Sequence, residues 1–223
     1  MSATSTPLTD VSAMPVIHSV YRRELRLAGA LVRGVADGDT ARAGVVADHL
    51  AWVGEHLHRH HTLEDRLLWP LLLERVADEL APIVDLMQTQ HRTVDALQEQ
   101  VAQLLPRWRE TASAEPGAHL ATLLDRLYVH LVEHLDAEEQ RLLPIAARTL
   151  SQPEWDAMGR AAREGTPRGA QALTLGMYLY EGDPAAVTAM LASAPRPVRT
   201  MLTWAARRAF ARHAMRVHGT ATP

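Results

Sequence analysis

A histidine and a glutamate, His60 and Glu64, sit at successive core-facing positions of one amphipathic helix, and the same pair returns in the same register as His134 and Glu138. In the first copy Leu50, Val53, Leu57, His60, Glu64 and Leu67 follow one another at steps of three and four, the seam of a packed helix. The second copy reads Leu124, Leu127, Leu131, His134 and Glu138, and Leu68, Pro70 and His56 map onto Leu142, Pro144 and His130. An uncompensated carboxylate in such a seam costs several kcal/mol, so two in matching register call for a cation. The pattern therefore predicts a metal site inside a helical bundle.

The helices before each copy repeat as well. Met14 and His18 map onto Met87 and His91 at nearly the same offset, so each half reads one His and then, a helix later, His-x-x-x-Glu. Four long helices with short connections make an antiparallel bundle. Depth along the chain agrees with this. The stretch from His18 to the first turn near Val35 is nearly as long as the stretch from Thr40 to His60. In the second pair, His91 to Leu105 nearly equals Ala118 to His134. At about 1.5 Å of rise per residue, all four histidines reach similar levels.

The helices are expected over 15–35, 40–68, 82–105 and 118–142. Pro70 kinks or ends the second, Pro82 starts the third, and Pro106 with Thr111–Gly117 forms a loop. Residues 1–10 are read as a disordered lead-in, 11–150 as the bundle, and 151–223 as a C-terminal helical extension. Within that extension Ser151, Thr166-Pro167 and Asp183-Pro184 start short helices. A last helix over 197–217 carries Val198, Met201, Leu202, Ala205 and Phe210 on one side. Arg199, Arg207, Arg208, Arg212 and Arg216 lie on the other.

Spacing four places His and Glu on one face about 6 Å apart. Imidazole and carboxylate without thiolate suit iron, manganese or zinc, and the chain has no cysteine. Bridging carboxylates in a helix bundle favour a di-iron or di-manganese pair. A ferritin-like site needs Glu-x-x-His on two helices; Glu55-x-x-His58 occurs once, off the seam. His-Glu-x-x-His, glycine-rich phosphate loops and Gly-x-Ser-x-Gly elbows are absent from the sequence.

His18, then HHTLEDRLLWP containing His60 and Glu64, then His91, then EHLDAEEQRLLP containing His134 and Glu138, resembles the hemerythrin-like (HHE cation-binding) domain over about residues 10–150. The resemblance implies an all-α four-helix bundle with two non-haem irons, bridged by carboxylates and an oxo or hydroxo group. It also implies terminal ligands His18, His60, His91 and His134 and bridging ligands Glu64 and Glu138. Oxygen-carrying members place a further histidine on the third helix, where Met87 stands here. His61, one turn from Glu64, is the expected replacement, with His56 and His130 as rivals. Tyr21, one turn after His18, is read as a core aromatic.

The resemblance implies handling of O2 or H2O2 for sensing, storage or detoxification, including catalase-like turnover. An oxidase acting on an organic substrate, and a metal-dependent regulator signalling through the Arg-rich last helix, are the alternative functions. Absence of cysteine and of an N-terminal apolar run fits a cytoplasmic monomer or homodimer, and no stretch approaches the roughly 20 apolar residues of a membrane span. The charge is −7 over residues 1–150 and +4 over 151–223. A net −3 argues against nucleic acid as a partner.

Overall fold

The computed structural model describes residues 8–223, and among these every regular element is helical. In chain order they are α1 (Ala13–Arg33), α2 (Thr40–Leu63), a π-turn (Glu64–Leu68) and α3 (Trp69–Thr111). Then come α4 (Ala114–Ala137), a second π-turn (Glu138–Leu142), α5 (Leu143–Thr149), α6 (Gln152–Glu164), α7 (Arg168–Glu181), α8 (Pro184–Met190) and α9 (Arg196–His218). Among the described residues no helix is long and apolar enough to cross a membrane.

Helices α1 to α4 pack in a ring: α1 touches α2 and α4, and α3 touches α2 and α4. Two apolar clusters fill it. One contains Leu25, Leu50, Leu57, Val94, Trp108, Leu131 and Leu135. The other contains Met14, Leu68, Leu72, Met87 and Leu142. On each helix the polar seam residues fall between the two: His18 after Met14, His60 and Glu64 between Leu57 and Leu68, His91 after Met87, Glu138 between Leu135 and Leu142. The metal-type residues thus form a polar layer enclosed at both ends.

Three expectations about the helices are corrected. Pro82 does not start a helix; it lies inside α3, whose break is at Val76 (φ −139°, ψ 40°). Pro106 also lies inside α3, and the connection to α4 shrinks to Ala112 and Ser113. Each proline forfeits one backbone hydrogen bond, a cost that burial of Leu80, Met87, Leu105 and Trp108 on the same helix outweighs. The seam beyond Glu64 runs through fully buried Leu68 and not through half-buried Leu67. The π-turn is the cause, because it inserts a residue: the Trp69 N–H donates to the Glu64 carbonyl five residues back. Leu143 does the same to Glu138. Pro70 and Pro144, at the start of α3 and α5, follow immediately.

Residues 1–7 of the expected lead-in lie outside the described residues. Thr9 is buried, its N–H donating to Ala147 O (2.8 Å) and its hydroxyl to Leu150 O (2.5 Å). Beyond α5, helix α7 packs on α9 and α1, α6 on α2, α8 on α1, and α9 on α2. Gly176 permits the α7–α9 approach, since a Cβ there would collide with Ala206 O. The buried side of α9 is Ala206, Phe210, Ala214 and Val217; Val198, Met201 and Leu202, expected on that side, are exposed.

Candidate metal centre

Each half of the chain delivers its ligand-type atoms through the same local device. A helix brings His60 and Glu64 onto one face, and the π-turn begins at the glutamate itself. α4 and the second π-turn repeat this with His134 and Glu138. α1 and α3 supply His18 and His91. All six side chains are buried, as is His61.

Two groups form. His61, Glu64, His91 and His134 bring one ligand atom each within 4.8 Å of one another, and so do His18, His60, Glu64 and Glu138. Glu64 belongs to both. Its Oε1 lies 3.1 Å from His60 Nε2 and its Oε2 4.0 Å from His91 Nε2. Glu138 Oε2 also faces both ends, 3.4 Å from His18 Nε2 and 3.8 Å from His134 Nε2. Each end contains a pair of imidazoles with Nε2 atoms 3.2 Å apart, His18 with His60 and His91 with His134.

His61 joins the cluster, its ring stacked on His91 at 4.4 Å between centroids. The rival histidines do not. His56 stacks on Trp52 and accepts a 2.6 Å hydrogen bond from Arg59, while His130 is half-buried beside Glu133. Met87 lies in the apolar cluster. Tyr21 is buried with its ring 5.3 Å from that of His60, and its hydroxyl donates to His56 O.

Two carboxylates outside the expected set orient the histidines. Glu139 Oε1 lies 2.8 Å from His18 Nδ1 and accepts from Arg22 at 2.6 Å. Asp65 Oδ1 lies 3.4 Å from His91 Nδ1. Such partners fix which ring nitrogen carries the proton and leave Nε2 as the ligand atom. The repeat contains the signal, for Asp65 maps onto Glu139 by the same offset that carries Glu64 onto Glu138.

Burial pushes the Glu64 carboxyl well above its ordinary range, with the Glu138 carboxyl beside it adding to the effect, and burial raises Glu138 as well. Burial drives His60 and His61 well below theirs, and His134 down to about 2. Burial would also raise Glu139, but its hydrogen bonds to His18 and Arg22 hold it below the usual value. The layer therefore favours neutral imidazoles and protonated bridging carboxyls until a cation replaces the protons.

The donor set can be tested for fit. Among the described residues both ring nitrogens of His61, Glu64 Oε1 and both Glu138 carboxylate oxygens are buried without a hydrogen-bond partner. His134 Nδ1 is a sixth such atom; buried polar atoms are nearly always satisfied, and this concentration of orphans in one layer matches a centre whose partner is a metal ion. The residues fit.

The chain matches the Hemerythrin HHE cation binding domain over residues 9–146, and it belongs to that family. It is thus a member of a metal-binding family whose His/Glu clusters are of a kind that holds metal. Comparison with curated proteins and with solved structures gives no match.

Proposed function

We propose that the chain is a non-haem di-iron protein that handles O2 or H2O2. Residues 11–150 would form the family's antiparallel four-helix bundle, and 151–223 an extension packed against it. His61, His91 and His134 would hold one iron and His18 and His60 the other, with Glu64 and Glu138 spanning both. The observation that carries this is the sharing of Glu64 between two clusters, its oxygens turned toward opposite ends.

When bound, a pair of irons supplies two one-electron couples, enough for two-electron chemistry on a small oxidant. The chain's own residues set the conditions. Glu139, held by Arg22, keeps the proton of His18 on Nδ1. Asp65 stands on the same side of His91. Tyr21 directs its hydroxyl to His56 O and offers no proton to the layer. None of the seven proposed ligands exceeds 9% exposure, which suits a molecule the size of O2 or H2O2 better than a bulky organic substrate. The His18/His60 end has one imidazole fewer, so an iron held there would be the one left with room for the oxidant.

Metal analysis with peroxide turnover on one sample tests the reading. The expected result is about two irons per chain, as in carboxylate-rich helix bundles, with O2 evolution from H2O2 that His60→Ala or Glu138→Ala abolishes. Reversible spectral change on cycling O2, without turnover, would select binding or sensing. A stable protein that refuses iron would sink the proposal.

A further inference from the structure

A second group of ligand-type atoms lies outside this layer, about 9 Å of helix rise along α1 from His18. Glu24 of α1, His49 of α2 and His218, the last residue of α9, bring one ligand atom each within 4.8 Å of one another. Glu24 and His49 are fully buried and the His218 side chain is 5% exposed.

Their contacts are incomplete in a specific way. Glu24 Oε1 is occupied by Arg23, whose Nε donates at 3.0 Å. Oε2 stands 3.2 Å from His49 Nε2 and 3.3 Å from His218 Nε2. Those are hydrogen-bond lengths, yet all three atoms are buried without a hydrogen-bond partner among the described residues. Neither ring N–H direction meets the oxygen in bonding geometry. Separations of this size are instead the edges of a coordination tetrahedron: bonds of about 2.0–2.1 Å place neighbouring ligands about 3.4 Å apart.

The surroundings fix two of the three ligands. His49 Nδ1 is 3.1 Å from His213 Nε2, a partner of the kind that orients a metal-binding imidazole through its second nitrogen. Arg42 NH1 donates to Arg216 O at 2.8 Å, and its other nitrogen bonds Val217 O, pinning the end of α9 where His218 departs.

We propose that Glu24, His49 and His218 bind a divalent transition cation, Zn2+ being the best match to two imidazoles and one carboxylate, which fastens α9 to α1 and α2. Three protein ligands leave a fourth position for water. The site joins the last helix of the chain to the first two, so its role is to hold the C-terminal segment in place. The inference stands independently of what the other His/Glu layer binds.

The test uses the full chain, stripped of metal and titrated with Co2+. The parent should bind one Co2+ per chain more than His218→Ala, and the difference spectrum should carry the strong visible bands of four-coordinate cobalt. His49→Ala should lose the same equivalent. His213→Ala should keep the stoichiometry with about 10–100-fold weaker binding, as for a residue acting through a ligand. Zn2+ should raise the melting temperature of the parent and protect α9 from cleavage at Arg207 and Arg208, with neither effect in His218→Ala. Because the count is a difference between parent and variant, occupancy of the other layer cancels. His218 ends a helix, so its variant retains the fold even where His49→Ala does not. Equal cobalt content and equal melting shifts in parent and His218→Ala overturn the proposal.

Discussion

Positions 61 and 135 are equivalent under the shift that carries His60 onto His134, yet one is histidine and the other leucine. The other ligand-type residues and their surroundings agree: His60 with His134, Glu64 with Glu138, Asp65 with Glu139, π-turn with π-turn. His61 stacks on His91 within the polar layer, whereas Leu135 belongs to the apolar cluster beside it. Near-identical scaffolds thus differ by one imidazole, and that difference makes the two ends of the layer unequal. The repeat builds the box, and the unmatched imidazole of His61 gives the box a direction.

The largest effect on this comparison should come from the residue both ends share. Glu64→Gln keeps the side-chain shape and removes the charge, so both ends should lose metal together. Affinity should fall by more than the roughly 100-fold typical of outer-shell changes. Iron analysis checks it, and a variant that loses metal from one end alone would show that Glu64 does not bridge. Making the halves alike should have the next largest effect. His61→Leu should cost one iron per chain, whereas Leu135→His should keep the metal and suppress peroxide turnover by filling the open position. If both variants behave like the parent, the asymmetry carries no function.

Smaller effects separate the outer partners. Glu139→Gln should weaken metal binding about 10–100-fold. Asp65→Asn should do less, because Asp65 is mostly exposed and its 3.4 Å approach to His91 is longer than the 2.8 Å of Glu139 to His18. Metal titrations of the two variants side by side would break that ranking if Asp65→Asn proved the worse.

The smallest effect is on the stability of metal-free protein with pH. Burial depresses His134 from 6.5 to about 2, so its neutral form contributes stability above pH 6.5 that is lost as pH falls toward 2. His60 and His61 act in the same direction. Glu64 is raised from 4.5, so its protonated form contributes stability below pH 4.5 that is lost as pH rises through its folded value. Metal-free protein should therefore melt highest between pH 4.5 and 6.5, and His61→Leu should flatten the acid side. Melting curves across pH that rise steadily to neutrality would contradict this.

The repeat made the site legible, because charged residues in an apolar seam have few physical explanations and two in register have fewer. His61 could be picked out by its distance of one turn from Glu64. Its advantage over His56 and His130 became visible only with the stacking on His91 and Trp52 in view. Pro82 and Pro106 misled for the opposite reason. Local cost was readable at those positions, but the packing of Met87 and Trp108 that outweighs it is not local. The Glu24 group left no pattern to read, since its members lie on α1, α2 and α9, far apart in the chain, with no repeat to join them.

The two π-turns have a consequence best expressed as phase. His60, Glu64, Leu68 and Leu72 are separated by three steps of four, and all are buried. So are His134, Glu138, Leu142 and Ala146. In an ideal α-helix three such steps turn a side chain about 120° away from its starting face. One inserted residue corresponds to about 100°, so each π-turn nearly cancels the drift. The carboxylate marks the point at which the correction is applied, and the polar layer and the apolar cluster behind it keep to a common face along each helix. Deleting one residue between Glu64 and Pro70 would leave steps of four, three and four, which a regular α-helix holds on one face without any π-turn.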